Sequence, residues 1–84
     1  MHYRNGREAK NGDRILSLMD GNVTAAGILR DATPGNDYCN GYVQIGYEPS
    51  QTDPIACMCD CLHSDDVMAI LAEKGLDKRQ VMPA

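Results

Sequence analysis

The densest chemistry in this sequence is Cys57-Met58-Cys59-Asp60-Cys61-Leu62-His63, with a further cysteine at position 39. Thiolates and imidazole are zinc-type ligands. If the segment is one strand, alternate residues share a face, and Cys57, Cys59, Cys61 and His63 line up. Same-face neighbours on a strand lie about 6.5–7 Å apart. Ligand sulfurs around zinc lie roughly 3.8 Å apart, from Zn–S bonds near 2.3 Å. An intact strand therefore holds the set too far apart; only a bent or broken one would make Cys57, Cys59, Cys61 and His63 a metal site. The reading adopted is that the cysteines are small apolar fillers of a tight core. Four reduced thiols, no metal and no cofactor are expected.

Other catalytic constellations are weaker. Cys61, His63 and Asp66 make a nucleophilic set on paper, yet no nucleophile elbow or oxyanion hole accompanies them. The carboxylates follow no EF-hand spacing, and there is no Gly-rich phosphate loop. An enclosed substrate pocket would also consume much of an 84-residue interior that has neither Trp nor Phe. A binding protein, not an enzyme, is expected.

Charge is segregated along the chain. Arg4, Arg7, Lys10, Arg14 and Arg30 lie in the first 30 residues, against Glu8, Asp13 and Asp20. From Asp31 through Glu73 there is no Lys or Arg, only Asp31, Asp37, Glu48, Asp53, Asp60, Asp65, Asp66 and Glu73. A one-sign segment repels nucleic acid and attracts basic surfaces. Tyr38, Tyr42 and Tyr47 lie within it; base stacking normally comes with a basic groove, which is missing here. Asp37, Tyr38, Tyr42, Tyr47, Glu48 and Asp53 are therefore the expected partner-binding residues, facing a basic protein surface. The basic residues around positions 4–14 are the alternative, as a nucleic-acid patch.

No stretch approaches the roughly 20 apolar residues of a membrane span. Met1-His2-Tyr3-Arg4-Asn5-Gly6 has no apolar run and does not read as a secretory signal. A cytoplasmic protein is expected, which fits reduced thiols.

The elements that must position these residues are short. Asn5-Gly6 suits a type I′ turn, and Asn11-Gly12-Asp13 marks the next turn. Strands are expected over 14–19, 23–30, 41–47 and 55–62, with Gly27 as a bulge or bend. Ser64 then caps a helix over 64–74, with Asp65 and Asp66 in its first turn. Val67, Met68, Ile70 and Leu71 form its apolar face, and Leu76 folds back on Leu71 after Gly75 in a Schellman motif. One domain is expected: a mainly β, five-stranded small barrel over 1–62, one C-terminal helix, and a tail over 75–84.

Glu8-Ala9-Lys10-Asn11-Gly12-Asp13-Arg14-Ile15, followed by Gly27-Ile28-Leu29, resembles the opening of SH3-like and KOW-type small barrels. The layout also resembles small phage and prophage proteins. The resemblance implies an SH3-like fold. It leaves two functions open: a phage-encoded inhibitor whose acidic surface imitates nucleic acid toward a host or CRISPR-type defence complex, or a KOW-like nucleic-acid-binding module.

Overall fold

The computed structural model describes residues 1–33 and 39–79. Its frame is one antiparallel sheet of five strands: β1 (Arg14–Met19), β2 (Asn22–Arg30), β3 (Asn40–Gln44), β4 (Ile55–Cys57) and β5 (Cys61–His63), in the order β4-β3-β2-β1-β5. A 3-10 turn, Met58–Asp60, separates β4 from β5, and α1 (Ser64–Glu73) follows β5 directly.

The central hairpin forms for local reasons. Met19 pairs with Asn22, and the intervening Asp20 and Gly21 both take positive φ, of 51° and 80°. That is the type I′ pattern, whose twist matches that of paired strands. The bulge of this ladder lies at Ser17/Leu18, opposite the step from Ala25 to Val23, and not at Gly27. Gly27 has another role. A Cβ there would run into the Gln44 backbone carbonyl, so glycine lets β2 and β3 approach closely.

β2 serves two neighbours, pairing with β1 through residues 22–28 and with β3 through Ile28, Leu29 and Arg30. A flat five-strand sheet would set its edges about 19 Å apart at a spacing near 4.8 Å. The edges here are β4 and β5, and the four Cα steps from Cys57 to Cys61 reach at most ~14 Å. The sheet therefore coils strongly. Among the described residues no ladder joins β4 to β5, so it remains an open coiled sheet where a closed barrel was expected.

Inside the coil lie Ile15, Leu29, Val43, Ala56, Met58 and Cys61, closed at one end by Tyr3, Ala9 and Ala32. Alternation explains the choice. Ile15 and Ser17 on β1 and Gly41 and Val43 on β3 point inward, while the residues between them are half-exposed. Met58 is fully buried because the 3-10 turn directs it back under the sheet. The N-terminal segment contributes through an irregular hairpin. Tyr3 N–H donates to Arg7 O, Gly6 N–H donates to Tyr3 O, and only Gly6 takes positive φ. This is a turn closed by a left-handed glycine, not the expected type I′.

Two strand boundaries also differ from expectation. β3 ends at Gln44, and the segment 55–62 breaks at the 3-10 turn because β4 pairs with β3 while β5 pairs with β1 at the opposite edge. The helix begins with His63, not Ser64, as its N-cap: His63 Nδ1 accepts from the Asp65 N–H at 3.0 Å. It ends as a Schellman motif. Leu76 N–H donates to Leu71 O, Gly75 N–H donates to Ala72 O, and Gly75 has φ +69°. None of its residues is buried, and Met68 and Ile70 of the expected apolar face are exposed. No helix among the described residues is long and apolar enough to cross a membrane.

Candidate functional site

Cα partners across a ladder share a face of the sheet. Arg30 pairs with Tyr42 and Tyr42 with Ile55, so these three side chains form one row across β2, β3 and β4 on the outer face. The Arg30 guanidinium carbon sits 4.4 Å from the centre of the Tyr42 ring, a cation–π contact. Arg30 also donates from Nε and Nη2 to Asp53 Oδ2 at 3.2 and 2.9 Å, from Nη2 to Ser50 O at 3.0 Å, and from Nη1 to Asp31 Oδ2 at 2.7 Å.

Asp53 was expected at a partner-facing surface. Its carboxylate is instead 4% exposed and occupied internally, accepting from the Ser50 N–H at 3.0 Å as well as from Arg30. The Ser50 amide first, then the Arg30 hydrogen bond, hold its pKa below the usual carboxylate value. Arg30 is raised in turn, chiefly by Asp53. Asp53 therefore shapes the 50–53 turn and clamps it to β2.

Two grooves flank Tyr42. One, of about 490 Å³, is lined by Arg30, Asp31, Tyr42, Pro49, Ser50 and Gln51. The other, of about 280 Å³, is lined by Asp31, Thr33, Asn40, Gly41, Tyr42 and Ile55. In the segment after β3, Ile45 and Tyr47 are strongly exposed, Tyr47 fully so. Glu48 is exposed beside Tyr47. Of the expected partner-binding set, Tyr42 lines both grooves, Tyr47 and Glu48 are exposed in the segment after β3, and the Asp53 carboxylate is buried against Arg30. Asp37 and Tyr38 lie outside the described residues. Sequence reasoning missed Arg30, Ile45 and Ile55. Ile45 and Ile55 lie in segments that were expected to be strands with a buried face, and only the early end of β3 and the register of β4 turn them outward.

Of the basic residues at positions 4–14, Arg7 is engaged within the fold, while Arg4, Lys10 and Arg14 are exposed. Arg7 Nη1 pairs with Asp66 Oδ1 at 3.1 Å, Arg7 Nη2 lies 3.7 Å from Asp65 Oδ2, and Asn5 donates to Asp66 Oδ2 at 2.9 Å. The Asn5 hydrogen bond and the Arg7 charge lower the Asp66 pKa. These contacts dock the first turn of α1 on the N-terminal hairpin.

A second polar cluster seals the end of the core. Tyr3 Oη donates to Asp13 Oδ2 at 2.6 Å, the Lys10 N–H donates to the same oxygen at 3.0 Å, and His63 packs edge-on to Tyr3 with ring centres 6.1 Å apart. Burial, then Asp13, raise the Tyr3 pKa well above the ordinary phenol. Burial works against ionisation of Asp13, but the Tyr3 hydroxyl and the Lys10 amide outweigh it and lower its pKa. His63 Nδ1 is engaged in capping, so its proton sits on Nε2, 3.7 Å from Asp13 Oδ1. Tyr3 Oη, Asp13 Oδ2 and His63 Nδ1 are all taken up by hydrogen bonds within the fold, which marks the cluster as structural.

The cysteines depart most from expectation. Cys39 and Cys57 form a disulfide, not two free thiols. Asn40 and Cys57 are Cα partners on β3 and β4, which sets the Cys39 and Cys57 Cα atoms 5.1 Å apart, within disulfide reach. Cys61 alone matches the core-filler reading; it is fully buried, its Sγ is 3.4 Å from Cys57 O, and burial raises its pKa. Cys59 is an exposed thiol. The ligand set Cys57, Cys59, Cys61 and His63 is not assembled, since Cys61 points into the core and His63 caps the helix. Cys39, Cys57 and Cys59 are brought together instead, their sulfurs all within 4.8 Å of one another. No family model, curated protein or solved structure matches this chain.

Proposed function

We propose that this chain is a non-catalytic protein-binding module that uses the outer face of β3 and β4. The observation that carries the reading is the row Arg30–Tyr42–Ile55, with Ile45 and Tyr47 exposed in the segment that follows β3. An aromatic and aliphatic patch with an Arg at its base and grooves on both sides is the composition of an interface core. The exposed carboxylates of Asp31 and Glu48 favour a partner with a basic rim. Because Arg30 and Arg7 take up Asp31, Asp53 and Asp66 internally, the reading rests on the apolar face first and on charge second. A phage-encoded inhibitor of a host nucleic-acid-binding or defence complex is the biological setting that the sequence resemblance suggests for such a surface.

The finer fold reading is an SH3-like small barrel. A meander of four strands, a 3-10 turn and a fifth strand returning to β1 support it, as does the tight coiling of the sheet.

The test is affinity measurement with a partner purified from the native host. Tyr47→Ala and Ile55→Ser should each weaken binding by about tenfold or more, the cost of removing an interface anchor. Glu48→Lys should slow association and reduce its salt dependence. Arg4→Glu and Lys10→Glu should change little. Binding lost with the hairpin variants and unchanged in Tyr47→Ala and Ile55→Ser would replace this face with the KOW-like nucleic-acid surface.

A further inference from the structure

We infer that Cys39, Cys57 and Cys59 form a binding site for a thiophilic metal ion, zinc in the first instance, which opens when the Cys39–Cys57 disulfide is reduced. The 3-10 turn makes the site. It breaks the strand immediately after Cys57, so Cys59 does not continue one step along the strand but turns back toward Cys57. Cys39 arrives from the start of β3, fixed by the Met58 N–H donating to Cys39 O at 2.6 Å. Three sulfurs from two segments thereby fall within 4.8 Å of one another. Zinc requires sulfurs roughly 3.8 Å apart, so the free Cys59 sulfur needs a shift of about 1 Å or less, and the two joined sulfurs need to part. Cys59 is exposed and Cys39 and Cys57 are half-exposed, which gives the ion an entry path and leaves its fourth position to solvent.

The chemistry balances in two steps. A dithiol reductant passes two electrons and two protons to the Cys39–Cys57 bond, itself becoming a disulfide, and three thiols result. The metal ion then takes the place of their three protons, which are released to solvent. Disulfide and metal are thus alternative clasps between β3 and β4, the two strands that carry the proposed binding face.

The experiment uses the full chain, anaerobic, either oxidised or reduced with a phosphine, with Co(II) as optical probe and Zn(II) as competitor. Reduced protein is expected to bind one Co(II) with a sulfur-to-cobalt charge-transfer band, to lose the band to equimolar Zn(II), and to release about three protons per ion near neutral pH. Oxidised protein should show no band. Cys59→Ser, an exposed position that cannot upset the core, should weaken binding by more than the roughly 100-fold that loss of an outer-sphere partner can cost. Cys61→Ala should leave the band in place. No band in the reduced protein, or an affinity in Cys59→Ser equal to wild type, overturns the assignment. So does a band lost in a folded Cys61→Ala variant but kept in Cys59→Ser. Partner binding through Tyr47 is measured separately, so either idea can fail while the other stands.

Discussion

The centre of the sheet and its two edges are built differently. β1 and β2 run for six and nine residues in one long ladder, with a single bulge at Ser17/Leu18, closed by a type I′ turn. β4 and β5 have three residues each and are separated by a three-residue turn. The centre buries Ile15 and Leu29; it exposes Met19 and Val23 at its turn and gives Arg30 to the outer row. The edge segment buries Met58 and Cys61, yet it also carries Ile55, Cys57 and Cys59 toward the outside. Regular pairing makes the core, and the interruption of pairing makes the candidate sites. Short edge strands also present few unpaired backbone groups, which limits edge-to-edge association.

The sharpest test of this contrast is to empty the same amount of core from each region. Leu29 and Met58 are both fully buried. Leu29→Ala and Met58→Ala should each destabilise by about 2–5 kcal/mol in urea unfolding. Equal costs would show that the 3-10 turn is as firmly anchored as the central ladder. A Met58→Ala cost below ~1 kcal/mol would mean that the edge segment yields and refills the space.

Reducing the disulfide without metal removes a cross-link spanning 18 residues. For a loop of that length the chain-entropy account gives about 3 kcal/mol. Hydrogen exchange should rise first in β4 and in β3 beside it, while β1 stays protected. A uniform rise would make the molecule a single cooperative unit and erase the distinction between centre and edge.

Among the described residues, acid should act through three carboxylates whose pKa values folding lowers: Asp13, Asp53 and Asp66. Each stabilises the fold fully above its unfolded value near 3.9, and that contribution is lost as pH falls toward the lower folded value. Tm should be flat above about pH 5 and drop below pH ~4. Asp53→Asn should lower Tm at neutral pH and flatten the acid limb. An unchanged limb would mean that the Arg30 clamp contributes nothing to stability.

The smallest effect belongs to the helix end. Gly75→Ala forces an L side chain into a left-handed conformation and should cost about 1 kcal/mol. It should leave partner binding unaltered, because α1 lies outside the proposed face.

How much of this was legible in the sequence follows the same division. The strand over 14–19, the returning strand ending at Arg30, the helix start and the Schellman end all carry local signals: alternation, Asp-Gly, acidic first-turn residues, and Gly75 before Leu76. The edge segment carries none that decides its form. Residues 55–63 alternate well enough to read as one strand. Only the pairing of Ile55 with Tyr42 on one side and of Cys61 with Ser17 on the other forces the break at Met58. The Cys39–Cys57 bond depends on that same long-range register. The charge pattern misled for a related reason. Asp31 to Glu73 contains no cation, but Arg30 and Arg7 fold onto it from outside, so a linear charge map overstates the surface field.

The central claim is that the outer face of β3 and β4 is the contact surface. It is tested most directly by mapping amide and methyl chemical-shift changes on the isotope-labelled chain as purified partner is added. The account predicts changes concentrated at Tyr42, Ile45, Tyr47, Glu48 and Ile55, with Met68 and Ile70 on α1 unmoved. Changes concentrated at Arg4, Arg7, Lys10 and Arg14, with Tyr47 and Ile55 silent, would contradict it.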